Sequence, residues 1–261
     1  MPPVPDSSTG AGISVRLAED DGQPVASAND YDSFAEAYTA ETEANLINGY
    51  YMRPAILDLA GDVAGRRILD AGCGSGPLSA ALRDRGAVVT GLDSSAGMLE
   101  LARRRLGPDT DLRLADLGSP LPFGDGAFDD VVAALVLHYF QDWTAPLAEL
   151  RRVLKPGGRL IVSADHPFAV NIMHRDAGRK PDYFATYNHT AEWTMGGQTA
   201  LMSFWHRPLH AMTDAFTAAG FRITVISEPP AAPDTPRELF PPEFEGRTTF
   251  LGFLFFVLEA V

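Results

Sequence analysis

The stretch ILDAGCGSGPLSAAL (residues 68–82) decides the fold. A short apolar run ends in Asp70, and Gly72, Gly74 and Gly76 follow within five residues. Pro77 then opens a segment in which Leu78, Ala81 and Leu82 recur at helical spacing, and Gly86 closes it. This is a buried strand, a glycine loop and a helix. Glycines so placed let a ligand approach bare backbone.

The same alternation continues outward. AVVTGLD (87–93) reads as a strand, and SAGMLELARRRLG (95–107) as a helix stopped by Gly107. DLRLADL (111–117) and FDDVVAALVL (128–137) read as strands. DWTAPLAELRRVLKPGG (142–158) reads as a helix broken into a turn by Lys155-Pro156-Gly157-Gly158, with Asp142 as its N-cap. RLIVSAD (159–165) is the next strand. Strands separated by helices of this length form right-handed crossovers and a parallel sheet covered on both faces. Ligands of such sheets sit at the carboxyl ends of the strands. The loops after Asp70, Leu92, Leu114, Leu135 and Ser163 are therefore expected to rim one site. Toward the C-terminus, PLHAMTDAFTAAGF (208–221) is a helix, and RITVISEP and TTFLGFLFFVLEA are strands. The expected fold class is α/β, a doubly wound, mostly parallel seven-stranded sheet with an antiparallel C-terminal edge hairpin and a small lid.

With 261 residues, 46% of them hydrophobic, the chain suffices for one sizeable α/β domain. The expected parts are a flexible tail (1–28), cover helices (29–64), the sheet core (65–165), a lid (166–206) and a C-terminal helix with strands (207–261). The tail reading follows from its Pro, Ser, Gly and Ala content and its lack of periodicity. EPPAAPDTP (228–236) reads as a surface loop. A net charge of −13 argues against a nucleic-acid partner. The one basic run, Arg103-Arg104-Arg105, falls where cations offset a helix dipole. No run of 18 apolar residues spans a membrane, and the N-terminus lacks the basic and apolar regions of a signal peptide. The single cysteine, Cys73, allows no intrachain disulfide and fits a cytoplasmic setting.

An acidic residue at the end of the second strand, Asp93, suits a ribose. A dinucleotide loop would bring a pyrophosphate to the helix N-terminus through G-x-G-x-x-G. Here Pro77 stands at that point and offers no N–H. The segments LDAGCGSG, VTGLDSSAGML, LRLADLGSPLPFGDGAFDDVVAALVLHYFQDW and LRRVLKPGGRLIVS resemble, in order and spacing, the motifs of class I S-adenosylmethionine-dependent methyltransferases. The likeness is close over 31–165 and looser over 207–260.

The resemblance implies S-adenosylmethionine as cofactor and a role for each matching position. Gly72, Cys73 and Gly74 would pass under its methionine part, and Asp93 would hold the ribose. Ser94 and Met98 would border the adenine, Asp116 would meet its amino group and Leu117 its ring. The backbone near Ala134 would take the ammonium. Tyr31 and Tyr38, seven apart on one helix face, would close over the cofactor, and Arg53 would pair with its carboxylate; ordinary helix packing explains the same three residues equally well. That cofactor is cationic and carries no phosphate, which agrees with an acidic rim.

The stretch 166–208 is too long for a plain connection and rich in aromatics, so it reads as a lid. Met195-Gly196-Gly197-Gln198 looks like its hairpin turn. Tyr139, Tyr183, Trp193, Trp205 and His206 are its candidate acceptor-binding residues, and an apolar or aromatic small molecule the expected partner. His166 and His138, just past the fifth and fourth strands, are the candidate bases for an O, C or N acceptor. The six histidines show no metal-ligand spacing, so no metal is expected. The expected function is small-molecule methylation, plausible in secondary metabolism. Alternatives are a non-methylating cyclase or regulatory protein that binds the same cofactor, and a NAD-dependent oxidoreductase. Oligomeric state is not written in the sequence.

Overall fold

A computed structural model describes residues 13–18, 28–244 and 246–261. In chain order its strands are β1 (Ser14–Leu17), β2 (Arg67–Ala71), β3 (Val88–Asp93), β4 (Asp111–Leu114), β5 (Phe128–Ala134), β6 (Leu154–Asp165), β7 (Tyr187–Met195), β8 (Gln198–His206), β9 (Phe221–Ser227) and β10 (Phe253–Ala260). The α-helices are α1 (Ala35–Thr42), α2 (Arg53–Ala60), α3 (Pro77–Asp84), α4 (Ala96–Leu106), α5 (Thr144–Val153), α6 (Pro167–Asp176) and α7 (Leu209–Ala218).

Seven strands form the main sheet in the order β4-β3-β2-β5-β6-β10-β9. The pairs β2–β3, β3–β4, β2–β5 and β5–β6 are parallel, and β10 runs antiparallel to β6 and β9. The sheet and its C-terminal hairpin are thus as the strand pattern required. Apolar clusters cover both faces: Leu69, Val131, Leu160 and Phe256 with Trp143 and Phe216 on one, Ile68, Val132, Ile161 and Phe255 with Ile56 and Leu82 on the other. Neighbouring residues of one strand face opposite layers, which is why the central strands are apolar throughout.

Lys155–Gly158 differs from its reading as a turn outside the sheet. It lies within β6, where the pairing with β5 shifts from Phe128↔Leu154 to Asp130↔Arg159. The surplus residues bulge, and Gly157 adopts φ +73°. The N-cap of α5 is Trp143, not Asp142 as the sequence suggested; Asp142, one residue earlier, accepts from the backbone N of Thr144 at 2.9 Å in a turn that leads into the helix.

The segment beyond β6 builds a second sheet, β1-β7-β8. The β7–β8 hairpin turns at Gly196-Gly197, with Met195 paired to Gln198. Its third strand corrects the tail reading: Ser14–Leu17 pairs with Ala191–Thr194. Four residues of strand are ordered by a partner 180 positions away, which composition does not register; of the rest of 1–28 that was read as a tail, only Ile13, Ala18 and Ala28 lie among the described residues. The 228–236 loop is also held: Ala232 N donates to Tyr50 O at 2.7 Å, and Ala231 is buried.

Candidate functional site

The glycine loop after β2 lies under the strand tips. A Cβ on Gly72 would stand 2.9 Å from Val136 Cγ2, so a side chain is excluded there. Gly74, at φ +55°, has nothing within 4 Å of that position and fronts open space. That is the crevice the glycines exist to leave. Asp93 at the tip of β3 accepts from Gly74 N at 2.8 Å through Oδ2 and from Ser95 N at 2.9 Å through Oδ1. Burial pushes the Asp93 carboxyl up despite these donors. The opening residue of the motif, Asp70, is buried and accepts from Ser79 Oγ at 2.6 Å; burial raises it to about 7.

Cys73 contributes backbone only: its thiol is buried against Gly91, and burial raises its pKa. Met98 is buried at the start of α4, its N bound to Ser95 Oγ at 3.0 Å. Ala134 ends β5, and Leu135 after it takes φ +53°, a strained conformation for leucine that costs about 1–3 kcal/mol and is characteristic of functional strand tips. Asp116 is exposed and its Oδ1 accepts from Gly118 N at 2.6 Å. Leu117 is buried in the core beside Leu121, Leu137 and Trp143. Asp116 thus closes a turn through one oxygen, and Leu117 packs in the core.

The cover elements close over the crevice. Tyr31 Oη lies 2.5 Å from Tyr139 Oη, the Tyr38 ring packs edge-on against Tyr31 at 5.1 Å, and it stacks on Trp193 of β7 at 6.2 Å. Burial holds all three phenols protonated near neutrality, that of Tyr38 at about 12, and the Asp93 charge adds to each. Arg53 donates through Nη2 to Glu43 O at 3.3 Å, while its buried Nε has no partner among the described residues. Glu43 is shared with Arg105, whose Nε donates to Ser75 O in the glycine loop at 3.0 Å. Asp32, which the sequence did not flag, ties the cover to α4 by accepting from Ser95 Oγ at 2.6 Å and Gly97 N at 2.7 Å.

The two candidate bases separate. His166 caps α6: its Nδ1 accepts from Phe168 N at 3.2 Å, and its Nε2 lies 2.7 Å from Glu228 Oε1. Both nitrogens are committed to structure, which corrects the expectation of a free base there. His138 Nδ1 lies 3.0 Å from Asp165 Oδ2 but is not aligned for a hydrogen bond, and neither of its buried ring nitrogens has a hydrogen-bond partner among the described residues. Around it, His138 meets Tyr139 at 4.5 Å and Phe204 at 5.0 Å, both edge-on. His206 Nε2 donates to Tyr183 O at 2.9 Å. Alternation along β8 puts Trp205 on the opposite face from His206 and Phe204. Asp165 was read only as a strand end.

Residues 69–162 match the family model described as a methyltransferase domain. That stretch is about a third of the chain, and over it the chain is similar to the class I S-adenosylmethionine-dependent methyltransferases. The methyl donor of this family is S-adenosylmethionine. The chain is 40% identical over 134 residues to a demethylmenaquinone methyltransferase of Clavibacter sepedonicus, which covers 51% of this chain and 55% of that protein. It spans about half the length of the curated relatives it matches. Its fold is shared with an S-adenosylmethionine-dependent methyltransferase from Mesorhizobium loti (TM-score 0.57, 26% identity, 79% of this chain and 96% of that one). It is also shared with a Listeria monocytogenes protein assigned to the same class (TM-score 0.64, 22% identity, 80% and 95%).

The residues present fit this cofactor. The open side of Gly74 admits a ligand onto main chain, Asp93 offers carboxylate oxygens beside it, and the unpartnered Nε of Arg53 awaits an anion such as a carboxylate. No group of three His, Cys, Asp or Glu among the described residues is arranged to hold a metal, and no described helix is long and apolar enough to cross a membrane.

Proposed function

We propose that this methyltransferase methylates a small, flat, largely apolar molecule. The observation that carries the reading is the crevice over Gly74, walled by Asp93 and roofed by Tyr31 and Tyr38. In it Asp93 holds the ribose hydroxyls, Gly72–Gly74 underlie the methionine part with the Ala134 carbonyl at its ammonium, and Arg53 meets the carboxylate. Ser94 and Met98 border the adenine. Bound there, the cofactor supplies an electrophilic methyl group on a sulfonium.

The chain's own work is placement. Holding two reactants in line supplies about 7–11 kcal/mol of the barrier. Tyr139, at the crevice edge and against Phe204 of the lid at 5.6 Å, orients the acceptor; Trp193 and His206 line the same face of the hairpin. The closed roof excludes water from the crevice. His138 is the base, since no hydrogen bond commits its ring nitrogens, whereas both of those of His166 are engaged.

Calorimetry with S-adenosylhomocysteine and with NAD(H) tests the cofactor; binding of NAD(H) alone refutes the proposal. Turnover is then read as S-adenosylhomocysteine released with a panel of phenols, hydroquinones, carbon acids and aromatic amines. A protein that binds the cofactor and releases none with any of them is a non-methylating member.

A further inference from the structure

We infer that Asp165 and His138 act as a pair that takes the proton of a weakly acidic O–H on the acceptor, with Asp165 as the positioning residue. This rests on the methyl-transfer reading and adds to it the class of acceptor, a flat ring bearing a phenolic or enolic hydroxyl.

The pair is built by the sheet. β5 and β6 are adjacent and parallel, with Ala134 level with Ser163, so His138 just past one tip and Asp165 at the other meet at the same height. Asp165 Oδ2, 3.0 Å from Nδ1, is a carboxylate oxygen beside the ring, and a small rotation of the imidazole lets it draw the proton of the neutral ring to Nδ1. In that tautomer Nε2 carries the lone pair, and no group among the described residues uses it: both ring nitrogens are buried without a hydrogen bond, and only Nδ1 has a carboxylate within reach. An orphaned acceptor inside a protein costs stability and needs a reason. Three imidazoles face Asp165, those of His138, His189 and His206. Against the penalty of burial, the interaction with His138 above all keeps its carboxyl below the usual range, so it stays anionic. The same corner adjoins the cofactor: Tyr139, next in sequence, feels the charges of both Asp165 and Asp93.

The surroundings choose the acceptor. Tyr139 and Phe204 stand edge-on to His138, with Trp193 against Phe204 at 5.6 Å, so a planar ring replaces Phe204 at the imidazole when the lid lifts. A neutral aromatic amine reacts through its own lone pair and has no use for a carboxylate-backed base; an aryl hydroxyl does. The O–H bond breaks, its electron pair stays on oxygen, and the proton goes to His138 Nε2. Nδ1–H remains directed at Asp165, which balances the imidazolium. The oxyanion receives the methyl group, and the imidazolium loses its proton to solvent when the lid reopens.

The test reads the ring itself, on the full chain. Nitrogen-15 spectra of labelled histidines, with His138→Gln identifying the resonance, report the tautomer. The expected result is a single Nδ1–H form in the wild type and a shift toward Nε2–H in Asp165→Ala. An Nε2–H ring in the wild type overturns the pair even where the variant does not fold. The acceptor class is probed with 2-naphthol, which stays protonated in water at neutral pH. Wild-type protein is expected to show the naphtholate absorption band, reduced at least tenfold in Asp165→Ala and in His138→Gln. No naphtholate band at millimolar probe overturns the hydroxyl class. S-adenosylhomocysteine binding, measured alongside, is expected to be unchanged in Asp165→Ala. Its absence in the wild type refutes methyl transfer as such, whereas intact binding with an unlocked tautomer refutes the pair alone.

Discussion

At the scale of the residue, the candidate site is a matter of a few polar atoms left over after the fold is satisfied. Asp93 has each oxygen tied to backbone N–H groups at 2.8 and 2.9 Å, so its position is fixed before a ligand arrives. Asp93→Ala should weaken S-adenosylhomocysteine binding by about 1–3 kcal/mol, the worth of charge-assisted hydrogen bonds; an unchanged dissociation constant in calorimetry contradicts the ribose role. The carboxyl is raised by burial, and the charged form is the better acceptor. Affinity should therefore begin to fall on acidification above the ordinary carboxylate range. Asp93 and the glycines were legible in the sequence because a loop and the next strand end place them by local rules. The turn bond of Asp116 and the core contact of Leu117 were not, because both depend on how the loop after β4 folds back on its own backbone and on the core. Asp165 was missed for the opposite reason. Nothing at 165 marks it until the sheet brings it to His138.

At the scale of the element, the lid hairpin carries a hidden titration. His189 lies on the inner face of β7, edge-on to His174 at 4.9 Å and near Phe204 at 5.7 Å. Burial lowers its pKa to about 3, with nearby imidazoles adding to the effect against the pull of Asp165. The folded lid thus holds it neutral while an unfolded one takes up a proton near pH 6.5. Its folded value is depressed, so the neutral ring costs nothing above 6.5. As pH falls from 6.5 toward 3 the unfolded state binds the extra proton, and stability drops by up to about 1.4 kcal/mol per unit. His189→Phe should remove that share, reducing the stability lost between pH 7 and pH 5 by up to about 2 kcal/mol in denaturant titrations. Identical slopes for variant and wild type sink the assignment. The hairpin itself was readable from Gly196-Gly197 between apolar runs, whereas β1 was not. A four-residue strand whose partner is far off in sequence leaves no periodicity to find.

At the scale of the whole molecule, the two ends of the sheet do different work. At the end away from the site, Asp130 is fully buried and bonds Arg159 at 2.8 Å through both oxygens, with Arg66 on the same carboxylate. Burial would raise this carboxyl, but the Arg159 and Arg66 guanidinia outweigh it and hold it low. Its stabilising share is present above the ordinary carboxylate range and is lost as pH falls through the depressed folded value. Asp130→Ala should cost about 3 kcal/mol in chemical denaturation, the low end for breaking a buried pair because both guanidinia keep some solvent, and should leave cofactor affinity unchanged. A change of under half a kcal/mol would show the triad to be inert.

At the other end, cover and lid are joined directly and not only through the sheet. Asn29 spans Ser203 of β8, donating to its O at 3.0 Å and accepting from its N at 2.8 Å. Tyr38 stacks on Trp193, and Phe34 is buried with Met195, Met202 and Phe204 in a single apolar cluster. A ligand under Tyr31 and Tyr38 must therefore steady the lid, although it touches the cover alone. In hydrogen exchange, S-adenosylhomocysteine should slow the amides of residues 29–42 and of β8 together. Tyr38→Ala removes the stack on Trp193 and should keep the first protection while losing much of the second. Equal protection of β8 in variant and wild type would mean that the lid senses the cofactor by another route, through Tyr139 and Phe204. Protection of the cover with none in the wild-type lid would mean that the two close independently, so that acceptor entry is not ordered behind cofactor binding.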